Sequence, residues 1–148
     1  MNETIVEEQT TSRPTMLENA WFSGFFDVEG GFSISITKRK KGFRVRPRVF
    51  CDQKNEPEVL NAVAAFFQAG RVTSRAEDRT QYRWMVDTWV HLPKIQAYFR
   101  RYPLRTRKHF VFLRLFKISR MVLRKEHLTE SGFKRIRQLS TRLQSVFP

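Results

Sequence analysis

What this chain has little of narrows it first. A single cysteine, Cys51, stands among 148 residues, which excludes an internal disulfide framework and any zinc site built on several thiolates. His91, His109 and His127 are scattered, and none has a partner at metal-ligand spacing. No apolar run approaches the roughly 20 residues that a membrane-spanning helix needs, so no membrane partner is expected. Acid is scarce too: 14 Asp and Glu face 28 Lys and Arg, for a net charge of +14. Residues 1–14 hold Glu3, Glu7 and Glu8 against Arg13; they read as a disordered arm and do not resemble a signal or transit peptide. With a net −2 there, the remaining chain carries +16. A folded domain this basic meets a polyanion, most often nucleic acid; a merely basic soluble surface is the plain alternative.

What is present supports a packed core. Hydrophobic residues make up 41% of the chain and include 14 Phe, enough for one globular domain over 15–148. Thr15-Met16-Leu17-Glu18 has capping-box spacing, predicting a helix that runs to about Val28 and stops at Gly30-Gly31. Next, FSISITKRKKGFRVRPRVF alternates: Phe32, Ile34 and Ile36 point one way, Ser33, Ser35, Thr37 and Arg39 the other. After a turn near Gly42, Arg44, Arg46 and Arg48 alternate with Val45, Pro47 and Val49, which predicts a hairpin with a cationic face. A second helix is expected from about Glu56 to Ala69, capped by Asn55 and ended by Gly70. A second hairpin turns around Ala76–Thr80, with Arg71, Thr73 and Arg75 on one face and Gln81 and Arg83 beside them. Further helices are expected over about 92–102, 106–124 and 131–145. Strands in adjacent pairs, with no βαβ crossover, indicate an α+β fold with an antiparallel sheet in the order αββαββα, helices packed on one face.

The other face is then free for a ligand. Its Arg forks suit phosphates and guanine edges, and its Ser, Thr and Gln suit bases or backbone. A solvated sheet face is the plain reading, but neighbouring arginines repel unless something anionic covers them. A ten-residue strand spans roughly 33 Å, about ten base pairs at roughly 3.4 Å each. One such sheet reads about one turn of duplex.

In WFSGFFDVEGGF, residues 21–32, Asp27 and Glu29 close an almost wholly apolar segment. They are either the acids at a helix end or part of a metal site. The run Phe22-Ser23-Gly24-Phe25-Phe26-Asp27-Val28-Glu29-Gly30 resembles the motif of the LAGLIDADG homing endonucleases. Small residues stand in its second and third places, acids in the sixth and eighth, and glycine in the ninth. YPLRTRKH, residues 102–109, further resembles the segment before that family's late helix, and the element order fits from about 15 to 145.

The resemblance implies that two motif helices pack across a twofold axis through Phe22, Ser23, Gly24, Phe26 and Asp27. It makes Glu29, with the carbonyl of Val28, a ligand of Mg²⁺, for which Mn²⁺ substitutes, and makes Asp27 a structural tie. One motif copy then implies a homodimer on roughly 20 base pairs of near-palindromic double-stranded DNA, cut across the minor groove. Gln53 matches a residue that arranges water near the scissile phosphate, and Arg107 or Lys108 matches a lysine that approaches the phosphates. Pro57 stands where the family often has a basic residue, with Lys54 the nearest cation. Glu29 replaces the Asp of the founding motif but still presents two oxygens. The family lives in introns or inteins of organelles, bacteria and archaea. Relatives that bind intron RNA as maturases, or bind DNA without cutting, are the rival readings; a helical scaffold without nucleic acid would leave the Arg-rich strands without purpose.

Overall fold

A computed structural model describes residues 19–75 and 77–145. The expected arm and the capping box at Thr15–Glu18 lie outside them. Helix α1 (Trp21–Glu29) leads into β1 (Gly30–Lys38) and β2 (Phe43–Lys54), then α2 (Pro57–Phe67), β3 (Arg71–Ser74) and β4 (Gln81–Val86). Helices α3 (Leu92–Arg101), α4 (Lys108–Leu123) and α5 (Glu130–Thr141) follow, with short 3₁₀ turns at Trp89–His91 and Glu126–Leu128. The four strands form one antiparallel sheet in the order β1-β2-β4-β3. The α+β class and the αββαββα order are those read from the hydrophobic periodicity.

Period-two alternation divides the sheet into two faces. Phe32, Val45, Val49, Cys51, Trp84 and Val86 are buried on the side that the helices cover. Phe22 and Phe26 of α1 have no exposed surface and sit in a cluster of rings. Phe22 lies 5.5–6.1 Å from Phe67, Trp84, Tyr98 and Phe99, and Phe26 lies 4.9 Å from Phe32. Such aromatic burial is the largest apolar contribution a core of this size can make. At the far end of the first hairpin Phe43 stacks on Phe133 of α5 at 4.5 Å, and Gln144 Nε2 donates to the carbonyl of Phe32 at 2.6 Å.

The boundaries of α2 differ from expectation, for local reasons. Asn55 does not cap it: its φ is +63°, its N–H donates to the Thr80 carbonyl at 2.8 Å, and Glu56 takes the cap position without a side-chain bond. The helix ends before Gly70, because Gln68 turns left-handed at φ +48° and Lys94 Nζ donates to the Phe67 carbonyl at 3.3 Å. Gly70 serves the sheet instead. Its φ is +83°, and a Cβ there would lie 2.4 Å from Trp84 Nε1 and 2.8 Å from the Met85 carbonyl, which only glycine tolerates.

Candidate active site and nucleic-acid interface

The end of α1 is held by a reciprocal pair of contacts with the start of α4. Asp27 accepts from the Arg105 amide at 2.8 Å, and from the Thr106 amide and hydroxyl at 3.2 and 2.7 Å. In return Lys108 Nζ donates to the carbonyls of Asp27 at 2.8 Å and Phe26 at 3.3 Å. A helix C-terminus carries partial negative charge on its free carbonyls, and α1 has no basic residue of its own in its last turn. Lys108 supplies that cation from 81 residues away. Burial draws its ammonium pKa down while the charge of Asp27 and, more weakly, of Glu29 pushes the other way. Of the two expected candidates the structure therefore brings Lys108 to the motif, whereas Arg107 is exposed at the start of α4.

Glu29 is exposed, and its carboxylate has no hydrogen bond or ion pair to any described residue. Val28 beside it is 76% exposed. Cys51 pairs with Gly30 across the sheet, directly below this end. Burial first, then the charges of Asp52 and Glu29, push its thiol pKa up, so it stays protonated and is no nucleophile. Gln53 stands half-buried two residues beyond Cys51 and pairs with Tyr82, past the point where β1 begins. Glu29 and the Val28 carbonyl are hard oxygen donors of the kind Mg²⁺ takes. Among the described residues there is no group of three or more His, Cys, Asp or Glu suited to a metal.

The expected seam needs correction. Phe22, Ser23 and Phe26 are buried in this chain's own core and have almost no surface to give to a partner. Ser23 is small because α3 crosses there: its hydroxyl donates to the Tyr102 carbonyl and its amide to the Tyr98 hydroxyl at 3.2 Å. The outward stripe of α1 is instead exposed Trp21, Gly24 and Val28 with half-buried Phe25, at the i, i+3, i+4, i+7 spacing of one helix face. Trp21 and Phe25 stack at 5.1 Å, and a Cβ on Gly24 would meet no described residue within 4 Å. Asp27, also expected in the seam, is occupied by the tie to α4.

On the outer sheet face, strand register sets Ser33 opposite Arg48, Ser35 opposite Arg46 and Thr37 opposite Arg44. Thr73 faces Arg83, and Gln81 faces Lys54. Arg71 lies on the same face, while Arg39 and Arg75 stand just past the strand ends in the two hairpin turns. The uncovered cationic face expected from sequence carries two acids, Asp52 and Asp87. Arg46 and Arg71 each approach Asp87 at 3.7 Å, and Arg83 forks onto Asp52 at 2.7 and 2.9 Å, which holds its guanidinium pKa above the ordinary value. Phe50 and Met85 add an apolar patch, paired directly across the strands. Alternation alone places these four residues on the outer face, so the signal for them is present in the sequence.

This architecture and motif define a LAGLIDADG endonuclease domain. The family model for the LAGLIDADG endonuclease matches residues 22–119, and the chain belongs to that family. A Neurospora crassa protein named "Probable intron-encoded endonuclease 4" is 32% identical over 127 residues, covering 84% of this chain. The chain spans 23–37% of the length of the curated relatives it matches. Among solved structures, the homing endonuclease I-TnaI is 28% identical with a TM-score of 0.77, covering 85% of this chain and 87% of that one. The archaeal intron-encoded homing endonuclease I-Vdi141I, solved in complex with DNA, is 28% identical with a TM-score of 0.79, covering 88% and 84% of the two chains. Among the described residues no helix is long and apolar enough to cross a membrane.

Replacing Asp27 by Ala leaves the amides of Arg105 and Thr106 without their acceptor. The expected loss is that of a helix cap, about 1–2 kcal/mol, read as a lower urea midpoint. Asp27→Asn, which keeps one accepting oxygen, should recover part of it.

Proposed function

We propose that the chain is a site-specific, Mg²⁺-dependent DNA endonuclease that works as two copies packed through α1. The observation that carries this reading is the unpaired Glu29 carboxylate at the end of a helix whose outward stripe is apolar around an open glycine. Glycine inside a helix costs about 1 kcal/mol against alanine. At Gly24 no described residue of its own chain fills the space, so close approach of a second backbone gives the residue its purpose. A twofold axis along that stripe sets two Glu29 side chains near one another and completes the half site.

Glu29 and the Val28 carbonyl, with their symmetry mates and DNA phosphates, hold Mg²⁺, or Mn²⁺ in its place. Mg²⁺ held there would supply polarisation of the scissile phosphates and a lowered pKa for the attacking water. Lys108 keeps the helix end in place and sets a positive charge at the phosphates, with Arg107 exposed beside it. Gln53, at the end of β2, orients water. The outer sheet face lies in the major groove, its arginines meeting phosphates and base edges; the DNA complex of the archaeal relative supports duplex DNA as ligand. A longer target is gripped by two sheets, one from each copy, and the double-strand break falls between them. The names of the intron-encoded relatives support a role in intron homing.

A second reading, contact with intron RNA, is favoured by where the charge lies. Residues 88–148 hold 15 Lys and Arg against Glu126 and Glu130, leaving residues 1–87 a net of only +1. The last three helices, with Lys117 and Arg120 exposed on α4, therefore form a second strongly basic surface besides the sheet, three of whose arginines have acid partners.

Glu29→Gln should lower cutting of a plasmid carrying the selected site by about a hundredfold or more while leaving its binding in gel shift unchanged; undiminished cutting would remove Glu29 from the chemistry. Gly24→Leu should keep the folded far-UV spectrum but sediment as a single 17.7 kDa chain, where the parent sediments at twice that mass; a dimer in the variant would show the seam to be elsewhere. For the second reading, Lys117→Glu with Arg120→Glu should weaken RNA filter binding about tenfold and spare binding of the DNA site. Equal RNA affinity in both proteins would discard it.

A further inference from the structure

The sheet face carries a feature that a phosphate-binding surface does not need. Asp52 is an acid on a face meant for a polyanion, and it is locked to Arg83 by two bonds, Nε at 2.7 Å and Nη2 at 2.9 Å. The same guanidinium lies 4.4 Å over the ring of Phe50. Phe50 is seated on Gly31, where a Cβ would come within 2.5 Å of the ring. Met85 stands directly across the strands from Phe50. Arg83 is therefore held on one edge by a carboxylate and on one face by an aromatic ring, and its end-on edge, Nη1 with the second Nη2 hydrogen, is left for a ligand.

We propose that Arg83, Asp52 and Phe50 form a preorganised base-reading unit that selects guanine at the base pair of each half-site closest to the cut. This rests on the reading of the sheet as the DNA interface. A fixed fork fits the O6 and N7 acceptors of guanine in the major groove, whereas a mobile arginine serves a phosphate as well as a base. Asp52 is the positioning residue. Its charge repels phosphate oxygens, so the pair suits the groove floor and not the backbone. The position along the site follows from register: Asp52 and Phe50 flank Cys51, which pairs with Gly30 immediately after Glu29. The Arg44–Thr37 pair lies eight residues from Asp52 along β2, about 26 Å away, and reads the outer part of the half-site. Phe50 and Met85, apolar beside the fork, suit a thymine methyl at the neighbouring step.

Selection from a randomised duplex library, by binding and by cutting, tests this with the whole chain. The parent should enrich guanine at one inner position of each half-site, by roughly 10- to 100-fold over other bases. Asp52→Ala and Arg83→Lys should each flatten that position by about tenfold or more and leave the outer positions unchanged. Arg83→Lys keeps the charge, so its loss of preference with retained affinity separates base reading from simple attraction; thermal melting of each variant shows whether it is folded. Intact guanine preference in both folded variants, or a parent site with no inner guanine, overturns the assignment. A parent that enriches no sequence overturns the sheet reading itself, and the unit with it.

Discussion

The clasp between the end of α1 and the start of α4 is the contact on which the candidate site depends. Asp27 takes two amides and a hydroxyl from Arg105 and Thr106, and Lys108 returns an ammonium to the α1 carbonyls. Each side satisfies groups that a helix terminus would otherwise leave to water. The exchange also separates the two acids of the motif. Asp27 is consumed by structure, so Glu29, two residues on and about half a turn round the helix, is the carboxylate left to meet a ligand.

Helix α1 uses its surface twice. Phe22, Ser23 and Phe26 face inward to the rings and to α3, while Trp21, Gly24, Phe25 and Val28 face outward. A nine-residue helix that is apolar nearly all round has more hydrophobic surface than one domain buries, and an uncovered apolar face marks a contact with another molecule. The two small residues of the motif then answer to different neighbours. Ser23 yields space to Tyr98 and Tyr102 of its own chain, and Gly24 yields space outward.

The sheet shows a related economy of charge. Asp87 lies near Arg46 and Arg71, and Asp52 fixes Arg83, so part of the repulsion among neighbouring arginines is relieved inside the protein before any polyanion arrives. Internal pairing lowers the net attraction but orients the donors, and oriented donors discriminate between bases better than mobile ones. A second concentration of cation lies on the last three helices.

Alternation and punctuation in the chain by themselves determined the elements: two hairpins, an intervening helix, a helical C-terminal part, and the inner and outer face of each strand. Those signals are local, set by the period of two in a strand and by the glycines that end or turn an element. The motif likewise marked Asp27 and Glu29 as a pair. The family resemblance also marked Asp27 as the structural tie; only the tertiary structure decided which groups it ties, that Lys108 and not Arg107 returns to the motif, and that Phe22 and Phe26 belong to the core. It also decided which arginines of that face Asp52 and Asp87 partner. Each of these turns on residues far apart in the chain, such as Asp27 with Thr106 or Asp52 with Arg83, and a one-dimensional pattern carries no information about which distant groups will compete for the same hydrogen bond.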